Sequence, residues 1–151
     1  MSTRSDTPSL LRRLAAIVYD TLLLIGVLFL ATALALVMTI VWLGSERVIE
    51  HNPLVGNPLF SGYLVAISFL FFGWFWTHGG QTLGMKAWKM RVVDNDNRSL
   101  DWSDAGKRFA AAGLSWATLG LGFLWQYLDR DRLTWHDRLS GTRLMLTRPP
   151  K

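Results

Sequence analysis

The stretch RRLAAIVYDTLLL, residues 12–24, decides the fold. It opens on two arginines, carries a carboxylate at Asp20, and leads into a run without a charged residue from Thr21 to Leu43. About 20 apolar residues are enough to cross a bilayer core of about 30 Å. The spacing predicts a membrane helix over about 13–43, longer than the core requires and so tilted or extended into the cytoplasmic interface. The run is too long for a secretory h-region of about 7–15 residues, and no small-x-small cleavage site closes it. It is expected to remain as a membrane anchor, with Trp42 at its far interface and Ala31 and Ala35 offering a smooth strip for helix packing.

Outward from this stretch the same alternation repeats. Gly44–Pro58, rich in Gly, Asn and Pro, predicts an outer loop over 44–58 with Arg47 as its one basic residue. A second apolar run predicts a helix over 59–77, with Trp74 and Trp76 where an aromatic belt belongs. A cytoplasmic loop over 78–107 follows, carrying Lys86, Lys89, Arg91, Arg98 and Lys107, with Arg108 at its edge. Within it KMRVVDNDNRSL predicts a small cytoplasmic β-hairpin, and Asp101 or Ser103 an N-cap. MRVV and TRLML are also candidates to pair as a small sheet, which would draw Asp137 toward Arg13. The third apolar run, 108–128, is barely long enough to span and is broken by GLSWATLGLG. The tail, 129–151, is again basic.

Basic residues favour the cytoplasmic side. N-terminus, middle loop and tail are all basic, so all three are expected inside. Two spans plus a re-entrant or interfacial hairpin over 108–128, turning near Gly120 and Gly122, satisfy this. Three full spans are the alternative. Irregular backbone at membrane depth survives only where protein or water covers it. The expected fold is a mainly α, polytopic membrane protein forming a single membrane domain over 1–151, placed in the cell inner membrane with both termini cytoplasmic.

Composition agrees. Half of the 151 residues are hydrophobic, and eight tryptophans and eight phenylalanines make a heavy aromatic load. There is no cysteine, which excludes disulfides and thiolate metal sites. The net charge of +5 is grouped between apolar runs, which makes it a topology signal and points away from nucleic acid. Trp88, Trp102 and Trp135 among basic residues suit an anionic cytoplasmic leaflet as partner.

Arg13 and Asp20 lie seven residues apart, on one helix face but about 10 Å apart along the axis. Asp20 near a membrane helix end is either an interfacial lock or an ion- or proton-binding group. Asp137, in LTWHDRLSGT, either caps a short helix, pairs with a local arginine, or meets Arg13 and Asp20. In HGGQTLGMKAW, Gly79 and Gly84 have phosphate-loop spacing, but Met85 stands at the lysine position and no strand precedes. Asp94 and Asp96 begin like a calcium loop, yet Arg98 falls where an oxygen ligand is needed. His51, His78 and His136 are scattered, and no nucleophile–base pair has a recognisable context. The expectation is therefore no enzyme, no metal and no cofactor.

The first-helix arginine, the aspartate seven residues on, the GQTLG loop and the terminal HDRLSGT together resemble the RDD family of bacterial membrane proteins. The resemblance runs from about Arg12 to Leu146 and maps the name-giving residues onto Arg13, Asp20 and Asp137. It implies an integral membrane protein for which transport of unknown ligands has been suggested. It also implies a supporting role for Gly80, Gln81, Thr82, Gly84, His136 and Thr142. The short third apolar segment departs from relatives with room for two fuller helices. Two functions are expected: a transporter or cation/proton exchange component acting on an unknown small ligand or cation, which in so small a chain calls for a homo-oligomer, or a non-transporting scaffold whose charges fix the fold.

Overall fold

The computed structural model describes residues 7–147. The protein is mainly helical and falls into two compact units, Thr21–Phe71 and a second one formed by the N-terminal segment through Asp20 together with the chain from Phe72 onward.

In the Thr21–Phe71 unit, helix α1 (Leu10–Leu43) supplies everything beyond Asp20. It is followed by a short α2 (Ser45–Glu50) and by α3 (Pro58–Thr77), which contributes its first turns through Phe71. Helices of 34 and 20 residues are about 51 and 30 Å long. Both are long and apolar enough to cross a membrane. Leu22, Phe29, Leu34 and Val41 of α1 and Val65 and Leu70 of α3 stand exposed on successive turns. Such apolar surface is stable only against lipid or protein. The hydroxyls in these helices turn back on their own backbone: Thr39 donates to Ala35 O at 2.8 Å and Ser68 to Leu64 O at 2.8 Å, so neither offers lipid an unpaired donor. Tyr63 reaches the Ala31 carbonyl at 3.4 Å, and an apolar groove of about 410 Å³ runs past Leu34, Met38, Phe60 and Tyr63.

The other unit begins with the first turns of α1 and the last turns of α3. It then adds α4 (Leu83–Ala87), β1 (Met90–Asp94), α5 (Trp102–Ala117), α6 (Leu121–Leu124) with a 3₁₀ turn (Trp125–Tyr127), α7 (Trp135–Ser140) and β2 (Thr142–Leu146). β1 and β2 pair antiparallel, from Met90 opposite Leu146 to Asp94 opposite Thr142. Met90, Val92, Val93 and Leu144 of this sheet are buried. α5 packs on α7 with a stripe of Ala105, Arg108, Ala111 and Ser115, the three-to-four spacing of one helix face.

The return strand expected for the local hairpin does not form, and its place explains why. The Asp/Asn turn is made, with Asp94 Oδ1 accepting from the amides of Asp96 and Arg98 at 2.9 and 2.7 Å. But Asp101 already serves as N-cap of α5, accepting from the Asp104 amide at 2.7 Å. That leaves only Arg98–Leu100 for a return strand, so β1 takes its partner from the C-terminal segment instead. The helix in the third apolar run likewise starts earlier than the apolar residues do. At 16 residues it measures about 24 Å, short of a bilayer core. The chain turns after it at Leu119 and Gly120, both in the left-handed region.

Candidate functional site

One face of the first turns of α1 is buried: Arg13, Ala16 and Asp20, while Arg12 beside them is exposed. These positions, three and four residues apart, present two charges to two different partners.

Arg13 turns to α7. Its Nη1 donates to Asp137 Oδ2 at 2.7 Å, and Arg108 Nη1 on α5 donates to Asp137 Oδ1 at 2.7 Å. Asp137 is wholly buried. Thr134 is the N-cap of α7 and Asp137 its third residue, and the two form a reciprocal capping box in which the Thr134 amide donates to Oδ2 at 3.2 Å. Both carboxylate oxygens thus accept charge-assisted bonds. Arg108 also donates to Thr142 Oγ1 at 2.5 Å, which lies 2.6 Å from Ser140 Oγ, and its guanidinium sits 5.5 Å from the Trp76 ring centroid. Burial works to raise the Asp137 pKa, but the guanidiniums of Arg108 and Arg13 outweigh it and hold the carboxyl well below the usual range. Burial, reinforced by Arg108, pushes the His136 imidazole down to about 3, so it is neutral. Its ring packs edge-on against Phe123 at 5.0 Å.

Asp20 turns to the GQTLG loop. It accepts from the Thr82 hydroxyl, and its Oδ1 accepts from the Gly84 amide at 2.8 Å. Thr82 is the N-cap of α4, and its hydroxyl oxygen also accepts from the Met85 amide at 3.1 Å. The carboxylate therefore closes the positive end of a one-turn helix. Gly84 permits it: a Cβ there would collide with the Ala16 carbonyl and meet the Asp20 carboxylate carbon at 2.9 Å. Gly80, at φ +72°, accepts from the Val92 amide at 2.7 Å, and a Cβ would strike the Val92 carbonyl. Gln81 Nε2 donates to the Met90 carbonyl at 2.7 Å, tying the loop to the base of β1.

The structure thus brings Arg13 and Asp137 together and gives Asp20 to Thr82 and Gly84. Among the described residues Asp20 has no cationic partner within ion-pair distance. Arg138, the local arginine beside Asp137, pairs with Asp129 at 2.6 Å instead. Sequence reasoning missed Arg108, filing it with the basic loop. The signal was its place in the 105–108–111–115 stripe, which puts it on the buried face of α5. No group of His, Cys, Asp and Glu suited to a metal occurs among the described residues.

Two long apolar helices with uncovered outer faces, joined to a polar layer closed by buried Arg/Asp pairs, define a membrane protein of helical type. The chain belongs to the RDD family, whose pattern it matches over residues 7–141. No curated protein and no solved structure matched it.

Proposed function

We propose that this protein is a non-enzymatic, two-span scaffold or accessory factor of the inner membrane, whose charged residues fasten a cytoplasmic layer to its first membrane helix. The observation that carries this is Asp137, held at 2.7 Å by both Arg13 and Arg108. A carboxylate so held is a fixed anion and a poor proton carrier. In this reading the third apolar segment does not span, the N- and C-termini are cytoplasmic, and the basic flank around Trp88 faces an anionic leaflet.

A second reading, a cation/proton exchange component built as a homo-oligomer, rests on Asp20. It is buried, and its hydrogen-bond donors are the neutral Thr82 hydroxyl and Gly84 amide. A buried carboxylate without a countercharge is suited to taking up a proton or a cation. The deciding measurement is relaxation of a pre-formed pH gradient in inverted vesicles on adding sodium or potassium salts. Under the scaffold reading, wild type, Asp20→Asn and empty vesicles behave alike, while Asp20→Asn lowers protein abundance. Relaxation by wild type alone, at matched protein levels, would overturn it in favour of exchange.

A further inference from the structure

The segment from Leu114 to Leu128 carries an apolar edge that the described chain leaves uncovered. Trp116, Leu119, Leu121, Leu124, Tyr127 and Leu128 are exposed, Leu119 at 97% and Leu128 at 79%. This edge is held from behind. Gly122 of α6 lies against Ser115 of α5 so closely that a Cβ would collide with the Ser115 hydroxyl. Phe123 stacks edge-on with Trp116 at 5.9 Å and with His136 at 5.0 Å. The turn between the two helices is equally well made. Gly120 N bonds Ser115 O at 2.9 Å and Leu119 N bonds Trp116 O at 3.0 Å, the paired bonds of a Schellman cap. The unusual feature is its left-handed residue, Leu119 at φ +55°, where glycine is preferred. A leucine that adopts an unfavourable backbone in order to project into water would incur two costs at once.

What covers the edge follows from where α5 lies. Phe109 packs against Phe72 of α3, ring centroids 6.5 Å apart, and Arg108 sits over Trp76. Phe72 precedes the end of this membrane helix at Thr77 by five residues, about 8 Å along the axis. The apolar edge therefore continues the lipid-facing surface of a spanning helix. The charges that follow alternate as Asp129, Arg130, Asp131, Arg132, with Asp129 and Asp131 engaged by Arg138. They give no strong preference for one headgroup charge.

We propose that the Leu114–Leu128 edge is a fixed wedge inserted into the adjacent leaflet. Its partner is the glycerol and upper acyl region of phospholipid, and insertion is driven by apolar area and insensitive to headgroup charge. This goes beyond the scaffold reading and does not depend on it.

The chain has no cysteine, so single labels are unambiguous. The full-length protein carrying Leu119→Cys, Tyr127→Cys or, on the exposed turn, Asp96→Cys is labelled with an environment-sensitive fluorophore. It is reconstituted into vesicles of phosphatidylcholine alone or mixed with phosphatidylglycerol. The expected result is blue-shifted emission at 119 and 127, quenched several-fold more by acyl-chain spin labels than emission at 96, equally in both lipids. Leu119→Asn, which tolerates the left-handed turn, should lessen acyl-chain quenching at 127. Iodide quenching at 119 and 127 equal to that at 96 would overturn the proposal. So would shielding from iodide and acyl-chain quenchers alike, the mark of a protein cover or a second copy, and so would insertion that requires phosphatidylglycerol.

Discussion

Asp137 has more cationic partners than it can neutralise, and this sets the consequence of losing it. Removing one member of a buried ion cluster typically costs about 3–5 kcal/mol, because the remaining charge stays buried unpaired. Asp137→Asn should therefore lower the unfolding midpoint of the detergent-solubilised protein by that order and cut its abundance. Replacing the set together, Arg13→Met with Arg108→Met and Asp137→Leu, should recover much of the loss, because apolar packing substitutes well for buried ion pairs. The pH dependence has two parts. The Asp137 pKa is depressed in the folded state, so its contribution is present above the unfolded carboxyl value and is lost only as pH falls through the still lower folded one. It adds no slope near neutrality. His136 is held neutral down to about 3, against an ordinary 6.5, so the unfolded chain binds a proton that the folded chain refuses. Stability should fall from about pH 6.5 downward with a one-proton slope, and His136→Phe should flatten an unfolding curve measured across that window.

At the scale of elements, glycines separate positions that packing demands from positions it does not. Gly84 brings α4 against α1, where a Cβ would run into the Ala16 carbonyl. Gly84→Ala should destabilise by about 1–3 kcal/mol through overpacking, read as a lower unfolding midpoint and loosened protection of the Gly80–Ala87 amides in hydrogen exchange. Gly106, mid-helix in α5, should behave oppositely, because a Cβ there would meet nothing within 4 Å. Gly106→Ala should raise the midpoint by about 0.5–1 kcal/mol through helix propensity alone. The sequence made α1 and α3 easy to read, because a charge-free run longer than a bilayer core has few other uses. The fate of MRVV was harder to read. A local Asp/Asn turn argued for a hairpin, whereas the choice of β2 over a return strand depended on Asp101 being taken by α5.

At the scale of the whole molecule, the site was legible in part for a geometric reason. Arg13, Ala16 and Asp20 share one helix face, so it was plain that they look the same way. That they reach different elements was not, because seven residues of helix separate the two charges by about 10 Å and one partner cannot serve both. Arg108 was hidden by the company of Lys107, which points out and pairs with Asp104 at 3.2 Å. The proposed topology is checkable with the same cysteine-free background. Cysteines introduced at Thr7 and Thr147 should react with an impermeant maleimide from one side of the membrane, and one at Asn52 only from the other. Opposite sidedness of positions 7 and 147 would show a third crossing.

The pairing of Arg13 with Asp137 also imposes an order on biogenesis. The two are separated by 124 residues of sequence. At about 5–20 residues per second of synthesis, Arg13 emerges roughly 6–25 s before its counter-ion exists. Arg108 waits a shorter time for the same carboxylate, and β1 for β2. Until α7 arrives, the nascent chain holds two guanidiniums that cannot enter its interior, so the layer around them has to stay open to solvent or to a chaperone. Messages truncated ahead of Thr134 would yield a chain stuck in that open state, with both apolar helices already made. A quality-control protease that recognises unpaired cations beside a membrane helix would find such chains conspicuous, and finished ones invisible.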